Sequence, residues 1–386
     1  MKSVLLRAPV LTQSGYGVHA RQVAKFLLSK NVDLSVQALQ WGDTPWIINP
    51  DSHDGLIGKL MQKTDVPNKT FDVTVQLQLP NEWDAKLGKF NIGMTAAVET
   101  DRCNPEWINC CNKMDLVIVP SQHAKDSLTN TGKVTTRLEI IPESFPECFN
   151  NGVQDSKELD FKFATKNNFL LFGQITGNNP DNDRKNIFFT LKWFCEEFKN
   201  DPDVGLIVKT NAGRLSKIDK KIVLGIFNQV ISEVRKTAYP KIYLLHGEMK
   251  EEELKSLYND PTVKASISLS RGEGFGLPVL EAAAAGLPII ATDWSGYLDF
   301  LKLGKFLEVD KTIKEIHDSR IDNRIFMKGA KWAAPSEEHF KKRIRKFKDN
   351  SSIPKEWALD LQKKILQNYN FESIAKLYDN LLKDIL

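Results

Sequence analysis

Cysteine is scarce in this chain of 386 residues: there are five, at positions 103, 110, 111, 148 and 195, and no C-x-x-C pair is answered by a second one. The odd number and the irregular spacing exclude a disulfide framework and a thiolate zinc site, and they point to free thiols in a reducing compartment. The adjacent Cys110 and Cys111 read as helix packing rather than as a redox pair. The six histidines show no metal-ligand spacing. Net charge is nearly absent as well, 53 basic against 49 acidic residues, too little to define a nucleic-acid binder. Nor is there a long apolar run approaching the roughly twenty residues of a membrane span. The short one at the N-terminus is broken by Arg7 and Pro9 and has no small-residue cleavage site, so it reads as a buried strand rather than a signal peptide. A soluble, cytoplasmic protein is expected.

What the chain does have is a globular balance of 41% hydrophobic and 26% charged residues. Its length exceeds one typical core, so two domains are expected. Residues 3–9, 32–39, 72–77, 91–97 and 115–121 read as strands, the last stopped by Pro120 with Ser121 placed to cap a helix. A turn, SGYG at residues 14–17, precedes a helix over residues 18–29. Residues 148–168 dissolve into polar sequence and read as a linker. The pattern then restarts with a strand at 169–173, a polar loop to Asp183, an apolar helix at 187–198 and strands at 205–209, 241–245 and 264–269. Such alternation predicts an α/β fold with parallel, doubly wound sheets that bind ligands at the carboxyl ends of their strands.

Residues 270–293, SRGEGFGLPVLEAAAAGLPIIATD, concentrate the chemistry. Gly272, Gly274 and Gly276 can bring bare backbone against a ligand. Pro278 suits the first position of a helix that Gly286 ends, with Pro288 just beyond. Near Gly276 and Leu277 the helix start presents free N–H groups and a positive dipole end, an anion site. Glu273 lies before this turn and Glu281 about one helical turn inside, so two carboxylates flank the anion site. Amides for a phosphate, one acid for ribose hydroxyls and one for sugar hydroxyls suit a nucleotide sugar. The plainer alternative is a strand–helix connection whose four alanines, 282–285, permit close packing.

The run EGFGLPVLE, with Glu273 and Glu281 as its outer acids, resembles the E-x7-E motif of retaining glycosyltransferases of the GT-B fold, particularly family GT4. The continuation AAAAGLPIIATDWSG looks like that family's helix and next strand. SGYGVHARQVAKFL resembles its N-terminal glycine loop, DLVIVPSQHAKDSL its late N-domain strand, DRKN its phosphate site and HGEMKEEELKSLYND a later helix, all in the family's order. The resemblance implies a GT-B architecture of two Rossmann-like domains facing a central cleft. An acceptor domain would span residues 1–160, completed by a C-terminal helix at 368–386, and a donor domain residues 161–367. It implies that Glu281 binds ribose and that Glu273 holds the donor sugar near the reacting carbon. Gly274, Phe275, Gly276 and Leu277 would line the sugar and distal phosphate, chiefly through backbone N–H groups. Arg184 and Lys185 would neutralise the diphosphate leaving group. Gly15 and Gly17 would let the first loop approach phosphate and sugar. The implied partners are a nucleotide-sugar donor and a carbohydrate or other hydroxyl acceptor, with no cofactor and no metal.

Two departures stand out. Where the family often carries an arginine after the first C-domain strand, this chain reads Phe172-Gly173-Gln174. Where many members have an N-domain histidine, it reads TAAVETDRCNPEW, so Glu99 and Asp101 are candidates for a general base or for stabilising positive charge on the sugar. No side-chain nucleophile stands out; in the favoured scheme of this fold the leaving phosphate helps deprotonate the acceptor. Asp181 with Asp183, and Asp201 with Asp203, fit the D-x-D metal motif of the other main glycosyltransferase fold, but chance matches are expected in polar loops this acidic. His19 faces either the cleft or the packed interior. The segment HFKKRIRKFK, including Lys341, Lys342, Arg343, Arg345 and Lys348, could meet an anionic acceptor, a membrane surface or DNA, or be a packed helix with a solvated basic face. Beside the transferase reading stand an epimerase or hydrolase on the same fold, a glycosyltransferase modifying a hydroxymethylated DNA base, and a non-catalytic nucleotide-sugar-binding protein.

Overall fold

The computed structural model describes residues 1–150, 159–176, 179–210 and 216–386. The chain divides into two units. One comprises Met1–Ser144, Asn323–Met327 and Phe371–Leu386; the other comprises Phe145–Asp322 and Lys328–Asn370. The polar stretch expected to be a linker falls partly outside the described residues.

The first unit begins with β1 (Lys2–Ala8), α1 (Gly15–Leu28), β2 (Val32–Ala38), α2 (Leu56–Met61), β3 (Phe71–Leu77) and β4 (Gly88–Met94). It continues through α3 (Pro105–Cys111), β5 (Leu116–Val119), α4 (Gln122–Thr129) and β6 (Arg137–Ile140). Its strands are all parallel, in the order β2-β1-β3-β4-β5-β6. Burial on both faces explains why these strands read as near-continuous apolar runs, as in the fully buried LVIV of β5. Ser121 caps α4, accepting from the Ala124 N–H at 3.1 Å. One expectation needs correcting: α1 starts at Gly15, not after the glycines. Ser14 accepts the Gly17 N–H at 2.9 Å and so draws both glycines into the first helical turn.

The second unit contains β7 (Asn167–Phe172), α5 (Ile187–Glu197), β8 (Val204–Thr210), α6 (Lys217–Val234), β9 (Lys241–His246), α7 (Glu251–Tyr258), β10 (Val263–Ser268) and α8 (Leu277–Ala284). There follow β11 (Ile289–Thr292), α9 (Leu298–Leu301), β12 (Leu307–Val309), the antiparallel pair β13 (Lys311–Glu315) and β14 (Lys331–Pro335), α10 (Glu337–Asp349) and α11 (Ser352–Asn368). The six strands of its main sheet are again parallel, ordered β12-β11-β10-β7-β8-β9. Phe169, Leu171, Val204, Leu206 and Val208 meet α5, α6 and α10 in one core. The alternate residues of β7 and β8, Phe172 and Lys209 among them, therefore face the opposite side of the sheet.

The last helix, α12 (Phe371–Leu382), returns to the first unit, where the Tyr378 ring packs 5.1 Å from Phe26 and Lys30 pairs with Asp379. Both units are thus α/β and doubly wound. The strand order reverses between β1 and β3 in one, and between β7 and β10 in the other. Diverging connections at such a reversal leave a crevice at the carboxyl ends of the strands.

Candidate functional site

In the second unit, two chain segments leave the sheet at that reversal: the loop after β7, which carries Arg184 and Lys185, and the loop after β10, which carries Glu273. The structure brings them together. Lys185 Nζ lies 2.6 Å from Glu273 Oε1, and Arg184 Nη1 lies 3.2 Å from Oε2 and 2.8 Å from the Gly272 carbonyl. The three side chains are 12–21% exposed. Burial alone would raise the Glu273 pKa, but Lys185 and Arg184 outweigh it and hold the carboxyl at about 2.

The Glu273 loop is fixed from the segment after β11. Ser295, with a left-handed backbone (φ 83°), accepts the Glu273 N–H, and Gly296 donates its own N–H to the Glu273 carbonyl, both at 3.0 Å. A Cβ at Gly296 would stand 2.2 Å from the Gly274 carbonyl oxygen, so only glycine lets these two loops meet. Gly276 is also left-handed (φ 101°) and opens α8 without any side-chain cap, leaving the positive end of the helix beside the Glu273 cluster. Phe275 can meet a donor through its main chain alone, because its ring is buried against Phe300 and Tyr369.

Glu281, inside α8, stands apart from Glu273. It is buried and accepts the Tyr258 hydroxyl at 3.0 Å. Burial raises its pKa to about 8, against opposing effects from Tyr258 and Lys209. Tyr258 and Lys209 escaped the sequence reading. A lysine ending the apolar strand GLIVKT was the available signal, because a buried charge in a strand needs a partner.

In the first unit, Gly15 and Gly17 divide in role. A Cβ on Gly17 would lie 2.1 Å from the Thr12 carbonyl oxygen, whereas one on Gly15 meets open space. Between them, the Tyr16 hydroxyl is 3.0 Å from both Thr95 Oγ1 and the Ala96 N–H, which ties this helix start to the loop bearing Glu99 and Asp101. That loop turns through a left-handed Ala97 (φ 52°), a strained conformation of the kind that clusters at functional sites. Glu99 contributes to the electrostatic environment of Tyr16, and Asp101 lies 3.7 Å from Arg102. His19 is packed in the interior, 3.4 Å from the Tyr378 hydroxyl.

Glu143, after β6, was also missed. It is buried, its Oε2 has no partner, and burial raises its pKa to about 8. Because the unfolded carboxyl ionises near 4.5, its effect on stability turns unfavourable as pH rises from there to about 8 and is constant above. Glu143→Gln should therefore gain on the wild type across that window, by on the order of 5 kcal/mol at the top of it. Urea melts at pH 5 and pH 8.5 would check this; an equal difference at both would refute it.

Other candidates fall to structural tasks. Asp183 accepts from the Ile187 N–H at 2.7 Å and from the Thr176 hydroxyl at 2.8 Å, so it shapes the start of α5. On α10, Phe340, Ile344 and Phe347 are buried, and Lys341, Arg345 and Lys348 pair with Glu196, Glu197 and Asp201. Those three cations of the basic face are thus held by acids of α5 and the turn after it. Among the described residues no helix is long and apolar enough to cross a membrane.

Residues 227–358 match the family model for glycosyl transferases group 1. The two doubly wound sheets are those of the GT-B glycosyltransferase fold. Among known proteins, a probable sucrose-phosphate synthase of Thermosipho melanesiensis is 24% identical over 202 residues, covering 52% of this chain and 38% of its own length. The chain therefore spans well under half of that curated relative. HepE of Anabaena, solved in complex with UDP and glucose, superposes over 100% of both chains with a TM-score of 0.62 at 12% identity. The trehalose 6-phosphate synthase of Burkholderia multivorans does so over 100% of this chain and 98% of its own, with a TM-score of 0.65 at 9% identity.

Proposed function

We propose that the chain transfers a sugar from a uridine diphosphate sugar to a hydroxyl acceptor, with retention of anomeric configuration. The observation that carries this is the Glu273–Arg184–Lys185 cluster beside the uncapped start of α8, with Glu281 farther along the same helix. As the bond between sugar and diphosphate breaks, negative charge grows on the leaving group. Arg184, Lys185 and the α8 amides are set to meet it without reorganising. Glu273, kept ionised by the same cations, accepts hydroxyls of the donor sugar. The departing phosphate takes the acceptor proton, so no side-chain nucleophile is needed, and the cations supply the positive charge that a metal would otherwise bring. The uridine assignment leans on the UDP bound by HepE.

Glu281 would hold the ribose hydroxyls. Glu281→Ala should then weaken UDP-glucose binding by about 1–3 kcal/mol, the scale of lost hydrogen bonds to a charged group. Unchanged affinity in a folded variant, measured by calorimetry, would remove Glu281 from the ribose site.

A further inference from the structure

Helix α6 is apolar on two sides. Val223 and Phe227 enter the core of the second unit, as the inner face of a surface helix does. Ile218, Ile222 and Ile226, by contrast, are 69%, 56% and 43% exposed. Their spacing of four advances only about 40° per step around a helix, so the three form one outward stripe. Single apolar side chains on a surface are ordinary, but a row of them marks a place where something binds. Helix formation does not ask for them, because alanine, leucine or lysine would serve better there.

The charge beside the stripe is of one sign. Lys217, Lys220 and Lys221 stand exposed around its first two turns, and none of them has an ion-pair partner among the described residues. Cations at that end oppose the helix dipole, so local stability does not account for them either. The nearby Asp219 is engaged at the helix start, where it accepts from the Ser216 N–H and hydroxyl. Glu233 lies at the far end, accepting from Gln229, and Arg235 and Lys236 outnumber it there. Lys341, Arg345 and Lys348 of α10 are already paired.

We propose that this outward face of α6 docks on an anionic lipid surface. The isoleucines enter the boundary between headgroups and acyl chains, and the lysines meet lipid phosphates. Charge selects the occupant: an anionic bilayer offers apolar depth and dense negative charge side by side along a helix lying on it. A second copy of this chain would instead bring further lysines to the same face. Because α6 follows β8 of a parallel sheet, its lysine end lies toward the carboxyl edge of the strands, the edge that carries Glu273. Docking therefore holds that edge at the membrane. Binding is weak and reversible, as three apolar side chains without a lipid anchor dictate.

The test is sedimentation of the full chain with vesicles, of phosphatidylcholine alone and of an equimolar mixture with phosphatidylglycerol. The wild type should sediment with the mixed vesicles at low salt, be released as salt screens the lysines, and stay in solution with phosphatidylcholine alone. Lys217→Gln, Lys220→Gln and Lys221→Gln together should weaken binding by about 100-fold, about fivefold for each lysine. Ile222→Ser with Ile226→Ser should weaken it by at least about tenfold. All five side chains face solvent, so both variants should melt as the wild type does, and a loss of binding is then not a loss of folding. Lys342→Gln on α10 should bind as the wild type does. Wild-type affinity in either α6 variant, or no sedimentation with the mixed vesicles at low salt, overturns the proposal. A loss confined to Lys342→Gln would move the contact to α10 and overturn it too. So would a wild-type dimer that Ile222→Ser separates, without vesicle binding, since that gives the stripe to a second copy.

Discussion

Glu273→Gln is expected to lower stability at pH 7 by about 3–5 kcal/mol, the usual consequence of leaving buried charges without their partner, and to cut sugar transfer by at least about 100-fold. The substitution leaves Arg184 and Lys185, 14% and 21% exposed, facing each other and the positive end of α8 with no carboxylate between them. A glutamine still fills the space and still offers one acceptor, so the loss isolates the charge. The pH dependence has a definite sign. The folded carboxyl titrates at about 2 against an ordinary 4.5, so its stabilisation is complete above the higher value and is lost as pH falls through the lower one. Chemical melts should show the wild type and variant far apart at pH 7 and converging below pH 3. A constant gap would mean that the ion cluster is not what Glu273 contributes. Transfer measured at a temperature where both proteins stay folded separates the catalytic loss from the stability loss.

The second large effect comes from a pair of glycines that look alike in the sequence. Gly17→Ala should destabilise the first unit by about 3 kcal/mol, at the upper end of ordinary overpacking, because its Cβ would be driven into the Thr12 carbonyl. A backbone atom there cannot swing away as a side chain would. Gly15→Ala should leave the melting transition unchanged, since its Cβ meets open space. If the first loop approaches the donor, Gly15→Ala should nonetheless weaken donor binding or transfer. Full activity in Gly15→Ala would remove that glycine from the site, whereas a stable Gly17→Ala would contradict the helix start described above.

These two glycines also show where sequence reading succeeds and where it stops. Most strands of both sheets were legible because burial on two faces leaves unbroken apolar runs, whereas the edge strands β6 and β12 were missed because they are short and β6 is half-exposed. The ends of α8 were legible because Gly276, Pro278 and Gly286 have few other uses. The start of α1 was not, because a serine cap can pull glycines into a helix that their propensity argues against. Within the site, Glu273 stood out as a charge in a glycine-rich turn, and Arg184 and Lys185 through the resemblance of DRKN to a phosphate site. Their contact did not, because it joins loops 88 residues apart in sequence. Tyr258, Lys209 and Glu143 escaped for a related reason. Each sits in an ordinary-looking element and becomes unusual only through what the fold packs around it. Phe275 adds a detail the motif does not show, a side chain that serves the core.

One feature of the first unit bears on how the protein is made. Residues 371–382, which cover Phe26 and His19 of α1, are synthesised after the whole of the second unit. On the ribosome the second unit therefore has its complete sequence before the first can close, although domains usually fold in order from the N-terminus. Until that last helix emerges, the apolar side of α1 must wait uncovered. Chaperone contact during synthesis should concentrate on the earliest part of the chain and end only with the arrival of its last helix.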